Sequence, residues 1–123
     1  MEKAIDKLTA SGCPSSKIVV GLPAYGRHGQ TPQLVKTYSE IMDEIFAKDA
    51  PSYEELLTIN YYQDIVFDSP ETVQKKIRLV QKKELMGIFF WEIGQDYYNH
   101  KEYPGGILIQ HASIFYFQER RFQ

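Results

Sequence analysis

The chain has 123 residues, of which 43% are hydrophobic and 14% are aromatic, and its 14 Lys and Arg residues against 16 Asp and Glu residues give a formal net charge of -2. This length accommodates one domain with one core, and the aromatic content argues against disorder. The balanced charge lacks the basic surface that phosphate binding requires, so we expect no nucleic-acid partner.

A membrane-spanning segment is not expected either. The longest dense apolar stretch, residues 105–117, is interrupted by Gln110 and His111 and is shorter than the roughly 20 residues that cross a bilayer. The first residues form an amphipathic pattern rather than the basic start and apolar centre of a secretory signal.

Cysteine and histidine usage indicates no metal site. The single cysteine, Cys13, can form no disulfide within the chain, and we interpret it as inert. His28, His100 and His111 are scattered without metal-ligand spacing, so neither a metal nor another cofactor is predicted.

The first half of the chain alternates between helix and strand signals. Apolar spacing predicts a helix over residues 2–10, and the continuous apolar run at 18–22 predicts a strand covered on both faces. The Gly-rich residues 25–30 are typical of a loop, and the apolar stripe that follows predicts a helix over 34–48.

The second half repeats this alternation. Residues 56–67 are rich in aromatic and β-branched side chains and predict one or two short strands. Ser69, followed by Pro70, is a strong helix start for a helix over 70–84. A second buried strand is predicted at 88–93. The fold class is therefore α/β, with parallel strands flanked by helices.

Three segments carry a resemblance to a known family: Lys-Ile-Val-Val-Gly-Leu-Pro-Ala-Tyr-Gly-Arg at 17–27, Ser-Pro-Glu-Thr at 69–72, and Gly-Ile-Phe-Phe-Trp-Glu-Ile-Gly-Gln-Asp at 87–96. In this order they resemble the last two strands, and the helix between them, of the glycoside hydrolase family 18 barrel, the chitinase family. The first strand would be the seventh of that barrel and the second strand the eighth.

The resemblance implies a partial (β/α)₈ TIM barrel, because a complete one takes about 250 residues. Residues 1–97 would form the C-terminal portion of the catalytic barrel, in which the insertion after strand seven is missing or reduced. Residues 98–123 would form a divergent segment, in which 107–109 and 114–117 can be read as helix or strand.

Catalytic residues are not predicted in this chain. The family signature is Asp-x-x-Asp-x-Asp-x-Glu on strand four, its Glu is the general acid, and the resemblance implies a substrate-assisted mechanism. No such run occurs in the sequence, and Asp64, Asp68 and Glu71 have the wrong spacing to replace it.

The resemblance assigns substrate binding to Trp91, Tyr25 and Arg27. The indole of Trp91, at the C-terminal end of a barrel strand, would stack on a sugar ring. Tyr25 and Arg27 follow the other strand, and the matching family residues hydrogen-bond sugar groups in the same cleft.

Residues that follow Trp91 are interpreted as structural. Glu92 alternates with Trp91 and should point to the opposite face of the strand, where a Lys or Arg could pair with it. Gln95 and Asp96 are expected to cap or to hydrogen-bond the loop.

The leading interpretation is the C-terminal part of a chitinase-like protein that acts on or binds β-1,4-linked N-acetylglucosamine polymers, for which the resemblance suggests an extracellular location. The alternatives are a non-catalytic, lectin-like or scaffold protein of the same fold and an unrelated α/β domain. Unpaired strand edges of an incomplete barrel further predict self-association.

Overall fold

The computed structural model describes residues 1–121, and its elements follow the predicted alternation. In chain order they are α1 (Glu2–Ala10), β1 (Val19–Pro23), β2 (Tyr25–His28), β3 (Val35–Thr37), α2 (Tyr38–Lys48), α3 (Tyr53–Thr58), β4 (Tyr61–Tyr62), β5 (Ile65–Val66), α4 (Pro70–Lys82), β6 (Gly87–Trp91) and α5 (Ile107–Arg121). In residues 1–121, no helix combines the length and the apolar character needed to cross a membrane.

Strands β1 and β6 form a parallel pair, which confirms the central prediction of the sequence. Their register runs from Val19 opposite Gly87 to Pro23 opposite Trp91. One face of the pair carries the buried side chains of Val20 and Leu22. These side chains join a core to which α1, α2, α4 and α5 all contribute.

The opposite face of this pair is exposed, so the expectation that both faces are covered was wrong for this chain. Phe89 is 49% exposed and Trp91 is 61% exposed. Phe89 packs over Gly21, where an added Cβ would lie 2.7 Å from the Phe89 ring. Successive strand residues alternate between faces, and the helices of this chain pack on only one of them.

A four-stranded antiparallel sheet, with strand order β3-β2-β5-β4, lies between the two parallel strands in the sequence. Its strand β2 replaces the loop predicted at 25–30. The reason is packing at Gly26, where an added Cβ would lie 2.6 Å from Ile65 and 2.9 Å from the Val66 carbonyl oxygen. The glycine therefore permits a close approach of strands rather than a flexible loop.

Helix α2 begins four residues later than the predicted start at 34. The Thr37 hydroxyl accepts a hydrogen bond from the Glu40 backbone N–H (3.0 Å), and the Glu40 carboxylate accepts one from the Thr37 N–H (3.1 Å). This reciprocal pair fixes the helix start. The residues before it are paired with β2 instead.

The predicted strand region 56–67 is divided. Its first part belongs to α3, which begins after Ser52, whose hydroxyl accepts from the Glu55 N–H (3.2 Å). Its second part contains the two short strands β4 and β5, as predicted. They are joined by Gln63 and Asp64, both with positive φ (47° and 66°), a conformation that tight turns require.

Helix α4 confirms the predicted start at Ser69, whose hydroxyl accepts from the Thr72 N–H at 3.1 Å. The inner stripe of Val73, Ile77 and Val80 is buried, as predicted. The helix ends at Lys82, two residues before the predicted end.

The C-terminal segment is a helix, which decides between the two predicted possibilities for residues 107–117. Helix α5 packs against α4 and buries Ile107, Leu108 and Ala112. The last two residues of the predicted segment 98–123 lie outside the described part of the chain.

Candidate functional site

The candidate site lies where the two parallel strands end. Pro23 is opposite Trp91, and the Ala24 N–H donates to the Trp91 carbonyl oxygen at 2.9 Å. The chain then continues directly into β2, which places Tyr25 beside the end of β6. Ligands of (β/α)₈ barrels bind at this carboxyl end of the strands.

Trp91 and Tyr25 line the same pocket, which we call the first pocket. Its volume is about 340 Å³, and most of the side chains that line it are apolar or aromatic: Gly21, Leu22, Pro23, Tyr25, Phe89 and Trp91. Because the Trp91 side chain is 61% exposed, the indole is accessible to a ligand. Accessible aromatic rings with apolar neighbours are suited to the apolar faces of a ring-shaped ligand.

A second pocket of about 300 Å³ adjoins the first and shares Pro23 and Tyr25 with it. Its lining comprises Pro23, Tyr25, Arg27, Val66, Phe67 and Asp68. Unlike the first pocket, it has charged residues in its lining, Arg27 and Asp68.

The two charged groups of the second pocket are held by neighbours. The guanidinium carbon of Arg27 lies 5.4 Å from the centroid of the Tyr25 ring, and its Nη1 donates to the Pro32 carbonyl oxygen at 2.9 Å. Asp68 forms an ion pair with Lys76 at 2.5 Å. Arg27 therefore keeps free N–H donors at the pocket wall, while the charge of Asp68 is balanced.

The three residues assigned to binding thus divide between the pockets. Tyr25 lies in both, Trp91 lies only in the first and Arg27 only in the second. Sequence reasoning missed the contributions of Phe89 and Val66. The signal for Phe89 was present, because it stands two residues before Trp91 and so lies on the same face of the strand.

Glu92 lies just beyond the end of β6 and is exposed. The peptide bond that joins it to Trp91 is cis. Its backbone N–H donates to the Gln95 side-chain oxygen at 3.3 Å, which confirms that Gln95 hydrogen-bonds within the loop. The predicted pairing of Glu92 with a Lys or Arg stays a prediction.

Asp96 is buried and caps helix α5, as predicted, although it lies 12 residues before the first helix N–H that it binds. Its carboxylate oxygens accept from the N–H groups of Tyr97 (2.7 Å), Leu108 (3.1 Å) and Ile109 (2.9 Å). Burial raises the pKa of this carboxyl group, and the three backbone donors oppose that rise. Asp96 is therefore a structural residue beneath the site.

The histidines are separate from the pockets and from one another. His28 Nδ1 accepts from the Thr31 N–H, and the ring of His111 packs between Tyr53 and Phe115 in the interior. Among the side chains of residues 1–117, no three from His, Cys, Asp or Glu are grouped in a way that could hold a metal ion.

Comparison with known proteins gives consistent matches. A sequence model described as "Glycosyl hydrolases family 18" matches residues 1–96. A class V chitinase from Lotus japonicus is 32% identical over an alignment 111 residues long. The alignment covers 70% of this chain and 28% of that protein.

Solved structures match the fold over nearly the whole chain. A chitinase from Bacteroides thetaiotaomicron matches with a TM-score of 0.75 at 20% identity. The matched region covers 97% of this chain and 38% of the Bacteroides chain. A GH18 chitinase from Cycas revoluta in complex with (GlcNAc)3 has a TM-score of 0.66 at 23% identity, covering 91% and 37%. The chain thus spans about a third of the length of these relatives and has the fold of one part of a TIM barrel.

Proposed function

The chain belongs to glycosyl hydrolase family 18, and on this basis we propose that its two pockets bind N-acetylglucosamine units of a chitin chain. The observation that carries the proposal is the first pocket, in which Trp91 and Tyr25 meet at the carboxyl ends of two parallel barrel strands. The (GlcNAc)3 complex of the Cycas revoluta chitinase supports the choice of ligand.

Two kinds of contact contribute to binding in this geometry: stacking on an aromatic ring and hydrogen bonding to polar side chains. A pyranose ring has apolar C–H faces, which the exposed indole of Trp91 can cover. Its hydroxyl and acetamido groups need donors and acceptors, which the Tyr25 hydroxyl and the Arg27 guanidinium supply. Stacking then provides most of the affinity, and the polar groups fix the orientation of the sugar.

We assign binding rather than bond cleavage to this chain. The sequence contains no Asp-x-x-Asp-x-Asp-x-Glu run, and the carboxylate beside the pockets, Asp68, is paired with Lys76. Hydrolysis by a protein that contains this chain would draw its general acid from another part of the barrel.

The test is titration of the purified chain with (GlcNAc)3, followed by the fluorescence of its single tryptophan. We expect a saturable change in emission. Calorimetry of variants should then show that Trp91→Ala weakens binding by at least about tenfold and Arg27→Ala by a smaller factor, since loss of the stacking platform removes the larger contact.

A matched control is Phe117→Ala, because Phe117 is a similarly exposed aromatic residue (62%) but lies on α5, away from both pockets. It should leave the affinity unchanged. Absence of any response to (GlcNAc)3, or a larger loss from Arg27→Ala than from Trp91→Ala, would overturn the assignment.

A further inference from the structure

One row of side chains crosses all four strands of the antiparallel sheet. The register places Arg27 opposite both Val35 and Val66, and Val66 opposite Tyr61. Residues directly opposite each other in an antiparallel pair point to the same face. Val35, Arg27, Val66 and Tyr61 therefore form one continuous row, which we call the cross-strand row.

This row has an unusual composition for a solvent-facing surface. Val35 is 44% exposed, and Val66 and Tyr61 are each 57% exposed. The other face of the sheet is covered, since Gly26 and Ile65 are buried. An antiparallel sheet with one covered face normally presents polar residues on the open one, whereas three of these four side chains are apolar or aromatic.

The cross-strand row is continuous with the proposed binding site. The second pocket is lined by Arg27 and Val66, which are the middle members of the row. Tyr25 lies two residues before Arg27 on the same face of β2 and belongs to both pockets. A ligand that extends from Trp91 past Tyr25 thus meets the row without leaving the surface.

Tyr61, at the far end of the row, is held in place. Its hydroxyl donates to an Asp64 carboxylate oxygen at 2.7 Å, within the tight turn that joins β4 to β5. A ring fixed by such a bond loses less conformational freedom when a ligand covers it. Neighbouring strands lie about 4.8 Å apart, so the step from Arg27 to Tyr61 is about 10 Å.

We propose that the cross-strand row is an outer binding surface for the same N-acetylglucosamine oligomer, with Tyr61 as a stacking platform for a sugar remote from Trp91. This inference rests on the proposed function and adds to it a preference for long oligomers. Arg27 supplies the polar contact along the row, and Val66 supplies an apolar one.

The experiment compares (GlcNAc)2 with (GlcNAc)6 on the full chain labelled with ¹⁵N. Both ligands should shift the indole signal of Trp91, and only the hexamer should shift the backbone amides of Tyr61 and Val66. Tyr61→Ala should weaken hexamer binding by roughly two- to tenfold and leave dimer binding unchanged. Tyr61→Phe keeps the ring and should retain most of the hexamer affinity, while Phe117→Ala should have no effect on either ligand.

The outcomes separate the two proposals. If dimer and hexamer bind with equal affinity and Tyr61→Ala has no effect, the proposal of an outer binding surface is wrong, while the proposed binding in the first pocket is unaffected. If the hexamer shifts the amide signal of Tyr61 but not the indole signal of Trp91, the result supports binding at the cross-strand row and overturns the proposed binding in the first pocket. If Tyr61→Ala alters only the self-association of the chain, the row is a protein interface and the sugar assignment is wrong.

Discussion

Asp96 is a buried charged residue whose partners are all backbone donors. It links the end of the loop after β6 to the first turn of α5 through the N–H groups of Leu108 and Ile109. Gly106 makes this approach possible, because its φ is +85° and an added Cβ would lie 2.4 Å from the Asp96 carboxylate. The carboxylate thus fixes the position of a whole helix relative to the site.

Removal of this carboxylate should therefore destabilise the chain. We expect Asp96→Ala to lower the free energy of unfolding by about 2 kcal/mol or more, because it leaves three backbone N–H groups without their acceptor. Urea denaturation monitored by circular dichroism measures the effect. Asp43→Ala, which removes an exposed Asp on α2, should change stability by less than about 0.5 kcal/mol, and an equal loss from both variants would contradict the capping role.

At the scale of single residues, motifs predicted more of the site than patterns did. Trp91, Tyr25 and Arg27 were assigned from the resemblance, and the structure places them around two adjoining pockets. Tyr61 was not assigned, because its role depends on strand register. Register is set by pairing between segments and is not visible in either segment alone.

At the scale of elements, predictions were most accurate where local chemistry acts alone. The Ser69 cap and the Pro70 start fixed the beginning of α4, and the buried stripe of that helix followed from its spacing. The parallel strands were equally clear, since each is a continuous apolar run. These signals lie within a few residues of the features they predict.

Elements whose conformation depends on contacts with other segments of the chain were predicted less accurately. The Gly-rich, polar character of residues 25–30 predicts a loop at β2, yet Gly26 permits close strand packing. The last three residues of α3, 56–58, fall in the region predicted as strand because residues 56–67 are rich in aromatic and β-branched side chains, yet the Ser52 cap starts a helix before them. In both cases tertiary context overrode local propensity.

At the scale of the whole molecule, the pair of parallel strands is incomplete. Within residues 1–121 each strand has one partner, so one edge of β1 and one edge of β6 have no neighbouring strand to pair their N–H and C=O groups. Beside these edges lies the exposed apolar face with Val19, Phe89 and Trp91. Open edges next to apolar surface favour association between chains.

We therefore expect the purified chain to self-associate as its concentration rises. Sedimentation velocity should show a larger species at high concentration, and Phe89→Lys should shift the equilibrium toward the monomer, since it places a charge on the exposed face. Leu34→Lys, at an exposed position away from the parallel pair, is the control. A monodisperse monomer at all concentrations would contradict the prediction.

The chain alone should also fail to hydrolyse chitin oligomers. General acid catalysis typically contributes 10²–10⁴-fold, and the sequence lacks the carboxylate run that supplies it in this family. Release of fluorophore from a chitobioside should therefore stay at background. Turnover that is lost in Glu92→Gln but kept in Glu84→Gln would show that an acid in this chain performs the step.

The pairing of β1 with β6 also has a kinetic consequence. Everything from β2 to α4 lies between these two strands in the sequence, so their alignment closes one long loop. Closing the loop lowers the chain entropy before the contacts between the paired strands stabilise the structure. Non-local pairing of this kind therefore slows folding. The β4–β5 hairpin and α4 consist of local contacts and form earlier. The pocket that joins Trp91 to Tyr25 would then be assembled late in folding, because the β1–β6 pairing closes a longer loop than the β2–β5 pairing does.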